Sequence, residues 1–164
     1  LNAGKAINGK MLKESVDRIY NFQVINAYAN NPQSLINKIH KKLSASQVYA
    51  LFTQPVYSLE AAEFLLTHLE RYNAQQGTAC ALILGFFLFI SYKGAIFLRD
   101  KLPGVYIPNE WVQKLEKAHN VGVEEEKKVG LDISLNLFNA LKTLHNKFHF
   151  MSAKPSLFKA FVRG

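Results

Sequence analysis

The sequence feature that most constrains the fold is a continuous apolar run that extends from Ala79 to Ile90. Its 12 residues are too few to cross a bilayer as a helix, which takes roughly 18 apolar residues. Runs of this kind are typical of strands in parallel sheets, because helices then cover both faces of the strand. The run therefore predicts a buried parallel strand over 79–87.

Shorter apolar segments predict that strands and helices alternate along the rest of the chain. Further strands are predicted at 22–28, 48–52 and 148–151. Predicted helices lie at 35–43, 59–72, 91–102, 108–115 and 124–144, with a short closing helix from Pro155 and a loop over Leu1–Lys10. This alternation favours an α/β fold with a parallel sheet, formed as one domain over residues 1–164.

Helix boundaries are indicated by capping residues and by charge. Ser58 is a predicted N-cap, and Gly77 ends the helix that Ser58 opens. The triplet Glu124–Glu126 suits the positive end of the dipole of the last long helix. The buried stripe of that helix is predicted from apolar residues at helical spacing, which are Val129, Ile133, Leu137, Leu141 and Leu144.

The charge balance is basic, with 20 Lys and Arg residues, 12 Asp and Glu residues and a formal net charge of +8. The basic residues are spread along the sequence, so we interpret them as a solvated basic surface. Binding of a polyanion, of phosphates or of a polyglutamate tail is the alternative. We expect no nucleic-acid partner and no membrane association.

Cysteine and histidine usage excludes several kinds of site. Cys80 is the one cysteine, which excludes an intramolecular disulfide framework and a multi-cysteine zinc site. A single thiol fits a reducing compartment, and no apolar signal-peptide core follows Leu1. We therefore predict a cytoplasmic protein. The five histidines have no metal-ligand spacing, and no glycine-rich phosphate loop is present.

Right-handed crossovers would place the functional groups at the carboxyl ends of the predicted strands. Those ends hold Asn26, Tyr28, Thr53, Gln54, 87–92 and 151–154. The spacing of these residues predicts an α/β protein with a site at the strand ends, without fixing its chemistry.

Four stretches of the chain follow one another in the order of a single enzyme family. Val48–Ser58 reads Val-Tyr-Ala-Leu-Phe-Thr-Gln-Pro-Val-Tyr-Ser. Within 85–108 stand Ser-Tyr-Lys-Gly-Ala-Ile-Phe-Leu and, further on, Leu-Pro-Gly-Val-Tyr-Ile-Pro, and the other two stretches are 1–14 and Phe148–Ala153. Together they resemble the methylenetetrahydrofolate reductases, in which a strand ends in T-Q-P-V-[FY]-[DS]. The resemblance extends over nearly the whole chain.

This resemblance implies a parallel (βα)₈ barrel of TIM type, of which the chain supplies the second half, strands five to eight. It implies an FAD-dependent enzyme of one-carbon and methionine metabolism, an oxidoreductase that reduces 5,10-methylenetetrahydrofolate to 5-methyltetrahydrofolate with NAD(P)H. The first half of the barrel carries the family's catalytic acid, so no catalytic residue is assigned here. The chain is expected to need the other half of the barrel or a homo-oligomer, because half a barrel leaves two open sheet edges.

Functional residues of the family are assigned in this chain only at positions where the sequence matches the family pattern. The resemblance implies that Gln54 and Tyr92 bind the folate, and that Asn26, Tyr28 and Lys42 contact the FAD. An amide such as Gln54 can pair with the donor–acceptor edge of a pterin, and an aromatic ring such as Tyr92 packs well on a flat ring system. The alternatives are backbone capping for Gln54, core packing for Tyr92, a solvated lysine for Lys42 and strand-end packing for the other two.

The sequence departs from the family pattern at two places near these residues. Asn26 stands where a small residue is typical, and Phe86–Leu88 stands where the family has a proline. These departures bear on whether FAD is retained. They leave a second hypothesis, a non-catalytic half-barrel subunit with a structural or binding role.

Overall fold

The computed structural model describes residues 20–29, 31–88 and 90–151. Four parallel strands form one sheet in the order β1-β2-β3-β4, so β1 and β4 are its edges. The strands are β1 (Phe22–Ile25), β2 (Ala50–Pro55), β3 (Ala81–Phe87) and β4 (Phe148–Met151). The α/β prediction with a parallel sheet is confirmed, and the apolar run forms the internal strand β3. The predicted loop at Leu1–Lys10 and the helix from Pro155 lie outside the described residues.

Five helices connect or follow these strands in the described part of the chain. They are α1 (Pro32–Ser44), α2 (Leu59–Gln76), α3 (Tyr92–Lys101), α4 (Asn109–Val121) and α5 (Val123–Leu144). The first three begin at the carboxyl ends of β1, β2 and β3. Their N-cap side chains, Asn31, Ser58 and Ser91, accept a hydrogen bond from an amide of the first turn. Gly77 ends α2 in the left-handed conformation, with φ of 62°.

The hydrophobic core lies between the helices and one face of the sheet. Leu82, Leu84 and Phe86 of β3 are at most 3% exposed on this face, where Phe138 of α5 contacts the Phe86 ring at 5.4 Å between centroids. Burying large apolar side chains in this way contributes roughly 1.5–3 kcal/mol each. The opposite face is partly exposed, and we call it the open face. Its residues, placed by strand register and alternation, are Phe22, Val24, Phe52, Ile83, Gly85 and His149.

The buried stripe of α5 differs from the predicted one. Val129, Ile133 and Leu144 are only half-buried, whereas Leu137 and Leu141 are buried as expected. The stripe is rotated because α5 packs against α4 and α2 as well as against Phe86 of the sheet. The other residues that α5 buries are Glu126, Gly130, Ser134 and Phe138.

Two strand ends also differ from the prediction, and both lie at the candidate site. β1 ends at Ile25 rather than at residue 28. There the Asn26 side chain accepts a hydrogen bond from the Tyr28 amide at 3.0 Å, a local turn that takes the backbone out of the sheet. β2 runs on from Phe52 to Pro55, because it continues to pair with β3 beyond an irregularity in register.

Candidate functional site

The carboxyl ends of β1, β2 and β3 are joined by a chain of tyrosine hydrogen bonds. The Tyr57 amide donates to the Tyr28 hydroxyl at 2.9 Å, and the Tyr57 hydroxyl donates to the Phe87 carbonyl at 3.2 Å. Tyr57 is 2% exposed, and its ring meets Trp111 of α4 edge-on at 6.2 Å. The three strand ends are therefore held in fixed relation to one another.

Both phenols of this chain are kept in the neutral form. Burial raises the pKa of Tyr28 from 10.0 to about 12, against the lowering effect of its hydrogen bond with the Tyr57 backbone. Burial also raises the pKa of Tyr57, and the neighbouring Tyr28 adds to that rise. At neutral pH these hydroxyls are thus hydrogen-bonding groups without charge.

A β-bulge interrupts the pairing of β2 with β3 next to this chain. Phe52 pairs with Ile83 and Pro55 pairs with Gly85, so three steps along β2 match two along β3. The extra residue lies in the Thr53–Gln54 segment. Bulges bend a strand and redirect its side chains, and they occur often beside active sites.

Gly85 makes room for this bulge. Its amide donates to the Thr53 hydroxyl at 2.7 Å, and a Cβ added at Gly85 would overlap the Thr53 carbonyl oxygen and lie 3.0 Å from the carbonyl carbon of Gln54. Because both obstacles are backbone atoms, a larger residue cannot be accommodated by side-chain movement alone. A glycine inside an apolar strand is a signal of such close approach.

His149 of β4 lies over the same glycine on the open face. It pairs in register with Gly85, and its Nε2 is 3.0 Å from the carbonyl oxygen of Thr53 on β2. A carbonyl can only accept, so Nε2 carries the proton and donates. The imidazole also contacts the Phe52 ring, with 5.2 Å between centroids.

Gln54 follows directly from this anchored backbone. Its side chain is half-buried and makes no hydrogen bond to any other of the described residues. The backbone on either side is fixed by Gly85, His149 and the Tyr57 chain. Gln54 is therefore an amide that no described residue engages, on a constrained backbone, an arrangement suited to binding a polar ligand edge.

Asn26 and Tyr28 lie under the connection between α3 and α4. Asn26 packs against Gly104, whose φ is +80° and whose missing Cβ leaves room for the amide. The Tyr28 ring contacts Tyr106 at 5.8 Å, and Ile107 is 1% exposed. Asn26 is larger than the small residue typical of the reductase family, and the glycine at position 104 leaves room for it. The Asn26 side chain is hydrogen-bonded to the Tyr28 backbone.

Tyr92 stands at the start of α3 and is held at both ends. Its amide donates to the Glu126 carboxylate at 2.6 Å, and its hydroxyl donates to Glu116 of α4 at 3.1 Å. Its ring lies 5.9 Å from that of His119, and His119 pairs with Glu126 at 3.1 Å. The hydrogen bond from the hydroxyl to Glu116 raises the pKa of Tyr92. The structure thus ties Tyr92 to the helical layer through α4 and α5.

Lys42 is separated from the other four predicted site residues. It lies in the last turn of α1, about 15 Å along the helix from its start at β1, and α1 leads to the amino end of β2. Lys42 makes no ion pair with a described carboxylate. A groove of about 480 Å³ runs along the exposed face of the same helix. Its lining residues are Asn31, Gln33, Ser34, Asn37, Lys38 and Lys41.

Sequence reasoning placed Asn26, Tyr28 and Gln54 at the carboxyl ends of neighbouring strands, as the structure does, but it missed three residues that hold these strand ends and the start of α3. Tyr57, Glu126 and His149 were absent from the predicted set. Two signals could have pointed to this region: Tyr57 stands inside the Thr-Gln-Pro-Val-Tyr motif, and a glycine at position 85 interrupts an apolar strand, as at a close approach of two backbones. Nothing in the sequence spacing signalled the contacts of Glu126 and His149.

Two further kinds of site were sought among the described residues. Within 20–29, 31–88 and 90–151, no group of three or more His, Cys, Asp or Glu residues could hold a metal ion. In the same part of the chain, none of the helices combines the length and the hydropathy that a membrane span needs.

Comparison with known proteins gives a structural likeness and no sequence family. No protein-family profile and no curated protein matches the sequence. A solved structure of an uncharacterized protein from Clostridium thermocellum, which binds two copies of 5-methyl-5,6,7,8-tetrahydrofolic acid, is similar in fold, with a TM-score of 0.54 and 20% sequence identity. The match covers 80% of this chain and 45% of that one. The chain thus spans less than half the length of this structural relative.

Proposed function

We propose that this chain binds a reduced folate at the carboxyl end of its sheet, with Gln54 as the principal polar contact. The observation that carries the proposal is the side-chain amide of Gln54, on the bulged end of β2, which makes no hydrogen bond to a described residue. The structural relative that binds 5-methyltetrahydrofolate supports the ligand class. The resemblance at Val48–Ser58 supports the same residue for the same role.

The chemistry of an amide suits a pterin. A glutamine side chain offers two N–H donors and one carbonyl acceptor in a plane, and a pterin presents donors and acceptors along one flat edge. The anchored backbone lowers the entropy lost when Gln54 pairs with a ligand, because the residue starts in one position.

The proposed architecture is the second half of a (βα)₈ barrel. Parallel sheets are normally covered on both faces, yet Phe22 and Val24 on the open face are 56% and 53% exposed. The edges β1 and β4 also leave backbone hydrogen-bonding groups available for further parallel strands. Another four-stranded unit, from a longer chain, another subunit or a second copy, would cover the open face and pair with both edges.

The proposed activity is FAD-dependent reduction of 5,10-methylenetetrahydrofolate to 5-methyltetrahydrofolate, with NAD(P)H as the reductant. Lys42 makes no ion pair with a described carboxylate, so its ammonium group is available to an anionic ligand. Lys42 would hold the pyrophosphate, and Tyr28 would approach the flavin as a neutral hydroxyl. FAD supplies hydride transfer when bound, while the residues of this chain orient the folate.

A non-catalytic half-barrel that binds folate is the second candidate. It is favoured by Asn26, whose amide is engaged with the Tyr28 backbone and with Gly104, on the side where the resemblance places the flavin. In both candidate functions Gln54 binds the folate, but only the reductase binds FAD. An absorbance spectrum of the full-length protein from its native source separates them, since only the reductase carries bound FAD.

Calorimetric titration of the full-length protein with 5-methyltetrahydrofolate tests the shared claim. We expect binding to the native protein, and an affinity about tenfold or more lower for Gln54→Ala, because one or two hydrogen bonds to the ligand are lost. Gln113→Ala on the exposed face of α4 is the matched control and should bind as the native protein does. Equal affinities for the native protein and Gln54→Ala, or no folate binding at all, would overturn the proposal.

A further inference from the structure

We propose that His149 is a positioning residue that fixes the β2 bulge and thereby aims Gln54. The inference deepens the proposed folate site and rests on it for one of its readouts only. Its basis is the contact from Nε2 of His149 to the Thr53 carbonyl, 3.0 Å long, between residues that are 96 positions apart. This contact crosses the intervening strand β3.

Gly85 allows the His149 side chain to reach across β3 to β2. On the open face, the register places Gly85 directly between β2 and His149, and the absence of a Cβ leaves room for the Thr53 carbonyl oxygen that His149 contacts. Gly85 also donates its amide to the Thr53 hydroxyl at 2.7 Å. Thr53 is therefore held through its hydroxyl by β3 and through its carbonyl by β4.

The peptide group that His149 holds is the one that joins Thr53 to Gln54. A rotation of this peptide plane would turn the Thr53 carbonyl away and redirect the Gln54 side chain. A bulged residue lacks the regular ladder that fixes such a plane elsewhere in a sheet. The donated hydrogen bond from Nε2 substitutes for that ladder, and the Phe52 ring, 5.2 Å from the imidazole, holds the ring in place.

Two variants of similar shape separate the hydrogen bond from the volume of the side chain. His149→Gln keeps an N–H donor at about the reach of Nε2, whereas His149→Met fills similar space without a donor. In the full-length protein, we expect His149→Met to weaken 5-methyltetrahydrofolate binding about tenfold. His149→Gln should restore the affinity to within about threefold of the native value.

A second readout needs no folate. Amide hydrogen exchange at Gly85 reports the Thr53 anchor, and the NMR signals of the Gln54 backbone report the bulge. We expect His149→Met, but not His149→Gln, to speed exchange at Gly85 about tenfold and to shift the Gln54 signals. If the native protein binds no folate, the folate proposal fails, and these two signals alone decide the role of His149.

Loss of stability in general is controlled for by a distant variant. The Asn73 side chain, at the other end of the sheet, donates to the Cys80 carbonyl at 2.9 Å and accepts from the Cys80 amide at 3.1 Å. Asn73→Ala should lower the free energy of unfolding without moving the Gln54 signals. Unchanged Gln54 signals in His149→Met, or equal losses in the Met and Gln variants, would overturn the inference.

Discussion

Gln54 lies at the carboxyl end of β2 and Tyr92 follows the carboxyl end of β3. The family resemblance implies that both bind folate, but their side chains differ in their contacts. The backbone at Gln54 is fixed by its neighbours, and its side chain makes no hydrogen bond to a described residue. Tyr92 is tied by its amide to Glu126 and by its hydroxyl to Glu116. A fixed backbone with an uncommitted side chain is the arrangement of a ligand contact, whereas a tied side chain also serves the packing of α3, α4 and α5.

The largest effect is expected where the backbone under Gln54 is disturbed. Gly85→Ala would drive a methyl group into the backbone at Thr53 and Gln54, so we expect a loss of about 3 kcal/mol or more in the free energy of unfolding. Chemical denaturation of the full-length protein measures this loss.

Gly94→Ala is the control for that substitution. Its added Cβ would meet only the Ser91 hydroxyl oxygen, at 2.9 Å, and an alanine suits a helix better than a glycine by about 1 kcal/mol. A Gly85→Ala protein as stable as the native one would mean that the bulge is not anchored as described.

An intermediate effect is expected where Tyr92 is released. Glu126→Leu removes the acceptor of the Tyr92 amide and the partner of His119, so the free energy of unfolding should fall by about 2 kcal/mol. Glu126→Gln keeps an amide oxygen for the Tyr92 N–H and should lose about half as much. Denaturation curves and folate titrations of both variants measure the two effects.

The comparison of Gln54 with Tyr92 is sharpened by the titration. We expect Glu126→Leu to change folate affinity less than threefold, well below the effect of Gln54→Ala, because α3 is displaced without loss of the Gln54 contact. A loss of folate affinity as large as that in Gln54→Ala would mean that Tyr92 contributes as much as Gln54 to ligand binding.

The smallest effect is expected at the tyrosine chain. Tyr28→Phe removes the acceptor at 2.9 Å from the Tyr57 amide, at a cost of about 1 kcal/mol. Because burial raises the pKa of Tyr28 from 10.0 to about 12, the stability that the neutral phenol contributes is complete below pH 10. It is lost as the pH rises toward 12, since the unfolded chain gives up its proton first.

Unfolding measurements between pH 9 and pH 12 check this dependence. The difference in stability between the native protein and Tyr28→Phe should shrink above pH 10 and change sign before pH 12, because two pKa units correspond to about 2.7 kcal/mol, more than the hydrogen bond contributes. A constant difference would mean that the hydroxyl is not buried at the strand ends.

Much of the fold was predictable from local pattern, because the apolar run of β3 and the alternation of elements are local properties. The end of β1 was misplaced, since the turn at Asn26 depends on a side-chain contact with the backbone. The α5 stripe was misplaced because α4 covers part of that helix. Contacts such as that between His149 and Thr53 join distant parts of the chain, and no spacing rule in one sequence reveals them.

The most direct test of the central claim is NMR of the full-length protein, with labelled glutamine side chains and tyrosine rings, during titration with 5-methyltetrahydrofolate. We predict that the side-chain amide signals of Gln54 move most and that those of Gln113 stay in place. The signals of Tyr92 should move less than those of Gln54. Saturable binding that leaves the Gln54 signals unmoved would contradict the account.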